Sequence, residues 1–197
     1  MKRREALRKT AMITGSSAII PGLLSLLQSC QQQERLSWQP QFLSQDQVGF
    51  VATLVDTILP KTETPGGLEV KVDIFIDLVF SKMYGEEAQK MVVEEIEALD
   101  IRCRGNYGAS FSGISAEDRV TFLTELEGAS PKYNGQVWGT AVGTQEPVGF
   151  YRTLKSLLLW GYFSSEEIGK NVLSYDPIPG DYLGCIPLSD VGNTWSL

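Results

Sequence analysis

The sequence predicts an all-α fold, a single compact domain of five or six helices with an irregular C-terminal tail. Apolar residues recur every three or four positions in several segments of the 197-residue chain. No segment of convincing length alternates apolar and polar residues with period two. Glycine and proline separate the periodic segments, and residues 174–197 contain three of each.

The first helix is predicted between Ser44, a typical N-cap residue, and Pro60, which ends the periodic run. Its apolar positions follow helical spacing at Val48, Val51, Val55 and Ile58. Residues 61–71 contain Pro65 followed by two glycines, and we therefore expect a loop there.

Three further helical segments follow the same rules. Helical spacing returns in residues 72–84 and again after Gly85, where two acids in the first turn favour the helix dipole. Ser115 begins a sequence that resembles a capping box, and Gly128 is the predicted end of that helix.

The C-terminal third contains the longest apolar helix. It is predicted from Phe150 to about Trp160, and a shorter helix follows, capped by Ser164 or Ser165. The glycine-rich residues 134–144 do not fit a helix or a strand pattern. We expect the tail to be irregular and held by its side chains rather than by a sheet.

The first 29 residues have the order of a bacterial export signal. A basic stretch precedes mostly apolar or small residues from Ala11 to Leu27. The adjacent Arg3 and Arg4 resemble the twin-arginine signal, which directs folded proteins across the inner membrane. Glycine and proline interrupt the apolar run, which falls short of the roughly 20 residues of a spanning helix. We therefore expect a signal rather than a permanent span.

Cys30 ends the sequence Leu-Gln-Ser-Cys, which resembles a lipobox, where the cysteine is lipidated and becomes the first mature residue. We therefore divide the chain into a signal peptide (1–29), a tether (30–41) and a helical domain (42–197). The expected location is the periplasmic side of the cell envelope, as a membrane-anchored lipoprotein. The alternative is a cleaved signal, or an uncleaved amphipathic anchor, with an incidental cysteine.

The mature chain is acidic. The signal contains five of the 17 Lys and Arg residues and one of the 24 Asp and Glu residues, which leaves 12 basic and 23 acidic groups and a formal charge of −11. Nucleic acid and anionic membrane surfaces would repel such a chain. We therefore expect no nucleic acid partner, although solubility alone accounts for most of the charge.

No histidine occurs in the sequence. Histidine-based zinc and haem sites, Ser-His-Asp catalysis and Cys-His catalysis are therefore excluded within this chain. Gly66-Gly67 matches neither a phosphate loop nor a dinucleotide fingerprint. Adjacent acids such as Glu166-Glu167 point about 100° apart on a helix, which suits a solvated face better than two-carboxylate catalysis. We predict no catalytic, cofactor-binding or metal-binding residue in this chain.

Cys103 and Cys185 form an even pair once Cys30 is set aside. In an oxidising compartment a disulfide between them would close a loop of more than 80 residues and add about 4 kcal/mol in the chain-entropy model. The alternative is two buried free thiols, because cysteine packs as a small apolar group. The sequence leaves both open.

Aromatic residues are concentrated near the C-terminus. The core accounts for many of them, yet several exceed what one small domain needs, and aromatic anchors are over-represented at protein interfaces. Core and interface are equally good interpretations of the group Phe150, Tyr151, Trp160, Tyr162, Phe163, Tyr175, Tyr182 and Trp195. The candidate interface anchors are Tyr151, Trp160, Tyr162, Phe163 and Tyr182.

The sequence from Phe150 to Leu188, together with VDTILPKTETPGGLEVKVDIFID, resembles the small subunit of gluconate 2-dehydrogenases, often called subunit 3. The likeness covers about residues 42–188. It depends on Ile58-Leu59-Pro60, on Thr64-Pro65-Gly66, on the turn from Trp160 to Glu166 and on the segment from Tyr175 to Cys185.

The resemblance implies a non-catalytic subunit of a membrane-associated dehydrogenase for sugars or sugar acids. Its large subunit would be a flavoprotein of the glucose-methanol-choline type that contains FAD, frequently with a cytochrome c subunit that contains haem c. The small subunit would aid export, assembly and membrane anchoring of that flavoprotein. The alternative from another class is a free-standing envelope lipoprotein that binds a small molecule or another envelope protein.

Overall fold

The computed structural model describes residues 38–130, 136–137, 140–141, 149–176, 178, 180 and 184–196. The described residues from Pro40 onward belong to one compact unit. The predicted all-α fold is confirmed, with seven helices and four two-residue strands among the described residues. The helices are α1 (Gln45–Ile58), α2 (Val72–Met83), α3 (Glu86–Tyr107), α4 (Ala116–Ala129), α5 (Phe150–Phe163), α6 (Glu166–Asn171) and α7 (Leu188–Val191).

The ends of α1 and α3 follow from local chemistry. At the start of α1, the Ser44 hydroxyl accepts a hydrogen bond from the Gln47 backbone N–H, and the Gln47 side chain accepts one from the Ser44 N–H. This capping box confirms Ser44 as the N-cap. Helix α3 ends at Tyr107 and is capped by Gly108, whose φ of 76° lies in the left-handed region that favours glycine.

Two helices extend beyond their predicted ends. Helix α4 passes through Gly128 and ends at Ala129, because the Ser130 N–H still donates to the Leu126 carbonyl oxygen as in a regular helix. Helix α5 continues from Trp160 to Phe163 in the same way. A glycine near the end of a helix therefore does not by itself end the helix.

The four strands form two small sheets. Strands β1 (Gln136–Val137) and β2 (Thr140–Ala141) pair antiparallel. Strands β3 (Ser174–Tyr175) and β4 (Trp195–Ser196) pair parallel in the tail, where the Ser174 N–H donates to the Thr194 carbonyl oxygen over 2.9 Å. The prediction that side chains alone hold the tail is wrong, because backbone hydrogen bonds join its two ends.

The core forms where α1 and α5 pack against the other helices. Helix α1 packs against α2, α3 and α4, and α5 packs against α2, α4 and α6. Phe111, in the turn before α4, contacts Phe50 and Phe122 with ring centroids 5.1 and 5.9 Å apart. The largest buried side chains include Leu54, Ile76, Phe80, Phe111, Phe122, Leu154, Leu158 and Ile168.

A buried carboxylate fixes the chain where it enters the domain. Asp77 on α2 is fully buried and accepts hydrogen bonds from the backbone N–H groups of Gln41, Phe42 and Leu43, at 2.7, 3.1 and 2.8 Å. These bonds satisfy a charge that burial would otherwise make very costly. They also hold the first residues of the domain against α2.

Within the described residues, none of the helices combines the length and hydrophobicity that crossing a bilayer requires.

Candidate partner-binding surface

Helix α5 separates its aromatic residues onto two faces. Tyr151, Leu154, Leu158 and Tyr162 follow the three- and four-residue spacing of one helix face and are buried. Trp160 and Phe163 lie off that face, with 54% and 51% of their surfaces exposed. The same apolar helix therefore supplies both the core and a surface.

Two of the predicted interface anchors belong to the core. Tyr151 and Tyr162 are only 6% and 8% exposed, so the prediction that they lie on a docking surface is wrong. The helical period from Leu154 and Leu158 places both rings inside. Tyr182, a third predicted anchor, lies outside the described residues.

Both buried tyrosines have specific surroundings. The Tyr162 hydroxyl donates a 2.8 Å hydrogen bond to the Pro65 carbonyl oxygen. Burial, with a smaller contribution from the Glu127 carboxylate, raises the pKa of Tyr151 to about 12, against the opposing effect of Arg152. Tyr151 therefore keeps its proton at neutral pH.

The exposed aromatic residues of α5 meet those of the tail around one open groove of about 610 Å³. We call it the aromatic groove and define it by Trp160, Phe163, Leu173, Tyr175 and Trp195. Tyr175 and Trp195 are 42% and 52% exposed. Sequence reasoning placed both in the aromatic group but not among the anchors. No local sequence signal predicts this surface, because the pairing of β3 with β4 brings the two distant residues together.

Hydrogen bonds hold the tail side of the groove. The Trp195 indole N–H donates to the Val191 carbonyl oxygen over 3.1 Å, and the Asn193 side-chain amide donates to the Val172 carbonyl oxygen over 2.8 Å. A Cβ on Gly169 would lie 3.0 Å from the Ser196 hydroxyl, so α6 and β4 are close neighbours. Contacts within the chain thus fix the tail side of the groove.

Ring contacts support the helix side. Phe75 on α2 meets Trp160 edge to face, with ring centroids 5.2 Å apart, and Tyr162 meets Phe163 in the same geometry at 5.3 Å. Gly161 allows this approach, because a Cβ there would lie 2.5 Å from Phe75 Cδ1. Phe75 and Tyr162 therefore support the exposed rings of Trp160 and Phe163 by direct ring contacts.

The segment that forms the groove carries more acidic than basic side chains. Its described part has four exposed acids, Glu166, Glu167, Asp176 and Asp190, and one basic residue, Lys170. Lys170 pairs with Glu166 at 2.6 Å. Their hydrogen bond lowers the pKa of Glu166 and raises the pKa of Lys170. Because both side chains are exposed, this pair contributes little to stability.

Two other concave regions differ from the aromatic groove. A cleft of about 470 Å³ between α1 and α3 is lined mainly by polar and charged groups, among them Asp46, Asp100 and Arg104. Arg104 already pairs with Asp100 at 2.8 Å. A smaller apolar cleft of about 260 Å³ lies beside Tyr84, Met91 and Leu157. Neither brings several exposed aromatic rings together.

The cysteines and acids of the described part do not form a metal site. No group of three or more metal-ligating side chains converges among the described residues. Cys103 is a fully buried free thiol, and Cys185 is an exposed free thiol. The structure therefore contains no disulfide between them, and only one of the two thiols is buried. The export residues Arg3 and Arg4 and the lipidation residue Cys30 lie outside the described residues.

Comparison with known proteins agrees with the sequence resemblance. The family model described as gluconate 2-dehydrogenase subunit 3 matches residues 45–180. This match runs from the first residue of α1 into the tail beyond β3. No curated protein and no solved structure matches the chain.

Proposed function

Because the chain belongs to the gluconate 2-dehydrogenase subunit 3 family, we propose that it is the non-catalytic small subunit of a membrane-associated, FAD-dependent dehydrogenase for sugars or sugar acids. The expected partner is a flavoprotein of the glucose-methanol-choline type, in some complexes joined by a cytochrome c subunit with haem c. The small subunit would aid export, assembly and anchoring of the flavoprotein.

The aromatic groove is the observation that supports docking best. Trp160, Phe163, Tyr175 and Trp195 are each between 42% and 54% exposed, although residues of this kind usually bury most of their surface. Tryptophan and tyrosine are enriched among the residues that dominate binding at protein interfaces. A lasting complex buries about 1,600 Å² in total, so the groove would form the centre of a larger contact.

The export signal explains why such a subunit is needed. The twin-arginine route carries folded proteins, and a flavoprotein must fold around FAD before transport. We propose that the flavoprotein docks on this chain and crosses with it, guided by Arg3 and Arg4. A lipid on Cys30 would then hold the complex on the periplasmic side of the envelope.

Co-purification from the native host tests the docking proposal. The full chain, tagged at its C-terminus, is extracted in mild detergent, and the eluate is examined for a second protein and for a flavin absorption spectrum. We expect a flavoprotein with the unmodified chain and much less with Trp160→Ala combined with Trp195→Ala. Val120→Ala removes an exposed apolar side chain on α4 and should have no effect. Recovery of the unmodified chain alone would contradict the proposal.

Export and anchoring have their own test. Arg3→Lys combined with Arg4→Lys should leave both the chain and the flavoprotein in the cytoplasm. Mass spectrometry of the mature N-terminus should find a lipidated Cys30. If the flavoprotein were exported and active without this chain, the escort role would be wrong.

A free-standing lipoprotein that binds a small molecule is the second candidate. The observation that favours it is the groove volume of about 610 Å³, which lies in the range of ligand pockets. This candidate predicts a monomer after gentle extraction, with a small molecule bound beside Trp160 and Trp195. Gel filtration of the same eluate, followed by mass spectrometry of extracted ligands, distinguishes the two candidates.

A further inference from the structure

We propose that the aromatic groove binds a cationic side chain, an arginine or a lysine, presented by a segment of the dehydrogenase subunit. This inference rests on the proposed function, and it names the chemistry that the partner must bring. It follows from the ring surfaces of the groove and from the excess of acidic side chains on the segment that forms it.

The groove offers mainly ring surfaces, and several of its donors are already bonded within the chain. The Trp195 indole N–H is bonded to the Val191 carbonyl oxygen, so this residue contributes its ring surface alone. The hydroxyls of Ser164 and Ser165 donate to the Trp160 and Tyr162 carbonyl oxygens, both at 2.7 Å. A groove formed mainly by ring surfaces suits a ligand that brings its own donors, as arginine and lysine do.

Aromatic faces attract cations. A guanidinium or ammonium group within about 6 Å of a tryptophan or tyrosine ring is held by the ring quadrupole, and tryptophan is the best partner. The groove is lined by two tryptophans, Trp160 and Trp195, together with Tyr175. The long apolar stem of an arginine or lysine would at the same time cover Leu173 and Phe163.

The charge of the segment that forms the groove favours the same ligand. The described part of residues 160–196 carries one basic side chain and four exposed acidic side chains, Glu166, Glu167, Asp176 and Asp190. That basic residue, Lys170, is already paired with Glu166. Asp176 and Glu167 follow the lining residues Tyr175 and Glu166 in the chain, are exposed, and would raise the local concentration of a positive partner segment. An acidic or phosphorylated segment would be repelled.

The first experiment measures affinity in the reconstituted complex of the mature chain and its dehydrogenase subunit. Trp160→Leu combined with Trp195→Leu keeps apolar bulk in the groove but removes both indole rings. We expect the dissociation constant to rise about 5- to 30-fold. Phenylalanine at both positions should cost less, and Val120→Ala, outside the groove, should cost nothing. Circular dichroism checks that each variant is folded.

Salt and a small probe give independent measurements. Affinity of the unmodified complex should fall as sodium chloride is raised, and this dependence should weaken in the double leucine variant. The peptide acetyl-Gly-Arg-Gly-amide, at millimolar concentration, should shift the indole NMR signals of Trp160 and Trp195 in the mature chain. The same peptide with citrulline, which is neutral and similar in shape, should not.

The outcomes separate this inference from the function it rests on. If the leucine variant binds as tightly as the unmodified chain and salt has no effect, the cationic occupant is wrong while the complex stands. Equal shifts from the arginine and citrulline peptides also contradict it. If the unmodified chain binds no dehydrogenase, the proposed function fails, and the partner named here fails with it.

Discussion

The Tyr162 hydroxyl donates a 2.8 Å hydrogen bond to the Pro65 carbonyl oxygen, 97 residues earlier in the chain. The loop that contains Pro65 is closed on itself, because Glu69 pairs with Lys61 and accepts a hydrogen bond from the Gly66 N–H. The neighbouring residue on α5, Phe163, lines the aromatic groove. The loop therefore helps to fix the helix end from which the groove is built.

Removing this hydrogen bond should weaken the fold moderately. Tyr162→Phe keeps the ring but leaves the Pro65 carbonyl oxygen without this donor, and we expect the free energy of unfolding to fall by about 1 kcal/mol. Urea denaturation followed by circular dichroism measures the change. Tyr175→Phe removes an exposed hydroxyl and should change the value by less than about 0.5 kcal/mol. Equal effects of the two variants would contradict the role of the bond.

Asp77→Asn should cost more. Asparagine keeps the shape but replaces one carboxylate oxygen with an N–H₂ group, which would face a backbone donor near residues 41–43. We expect a loss of about 2–4 kcal/mol in the free energy of unfolding, because these hydrogen bonds are charge-assisted and buried.

Urea denaturation and amide hydrogen exchange both report on Asp77→Asn. The N–H of Leu43 should exchange faster in the variant than in the unmodified chain. Asp56→Asn, on the exposed face of α1, is the control and should leave both measurements nearly unchanged. A stability loss without faster exchange at Leu43 would mean that Asp77 stabilises the fold through contacts other than these hydrogen bonds.

Two glycines in helices should respond oppositely to alanine. At Gly161 the new Cβ would lie 2.5 Å from Phe75 Cδ1, and we expect overpacking to cost about 1–3 kcal/mol. At Gly49 nothing lies within 4 Å of the new Cβ, and alanine should stabilise α1 by about 0.5–1 kcal/mol. Thermal unfolding of both variants gives the comparison. Stabilisation by Gly161→Ala would show that Phe75 can move aside.

The two thiols should differ in reactivity. Burial, with a smaller effect of Asp100, raises the pKa of Cys103 above its usual value, and its side chain is fully covered. In the folded mature chain carrying Cys30→Ser, Ellman's reagent should therefore modify Cys185 quickly and Cys103 only after denaturation. Cys185→Ser should abolish the fast reaction. If neither thiol reacted in denaturant without a reducing agent, the chain would contain the disulfide that the structure lacks.

The helices could be read from the sequence because their signals are local. Ser44 with Gln47, the glycine at 108 and the apolar period of α1 each act within one or two turns. The sequence predicts that α4 ends at Gly128 and α5 at about Trp160, but the helices continue to Ala129 and Phe163. A residue that permits a helix to end does not require it to end there. Local sequence signals therefore predict that a helix is present more reliably than they predict its last residue.

The sequence predicts the residues of the candidate site only in part. Composition pointed to Trp160 and Phe163, which are exposed, but also to Tyr151 and Tyr162, which the period of α5 buries. A helical projection from Leu154 and Leu158 would have separated them. The sequence does not place Trp195, because its neighbours depend on a parallel pairing with residues 21 positions earlier, for which no local signal exists.

Tyr151 gives the chain a predictable loss of stability at alkaline pH. Its pKa is about 12 in the folded state, mainly because of burial, against about 10 for an unfolded tyrosine. Below about pH 10 both states keep the proton, so the group has no influence on unfolding. Between about pH 10 and about pH 12 the unfolded state releases the proton first, so the free energy of unfolding falls as the pH rises, by up to about 1.4 kcal/mol per pH unit.

The variant Tyr151→Phe isolates this contribution from the other groups that titrate in the same range. The difference in unfolding free energy between the unmodified chain and the variant should be constant up to about pH 10 and then shift steadily against the unmodified chain. Urea denaturation at a series of pH values measures it, and ultraviolet titration should show one late-ionising tyrosine that the variant lacks. A difference that did not change with pH would mean that Tyr151 ionises as readily in the fold as in the open chain.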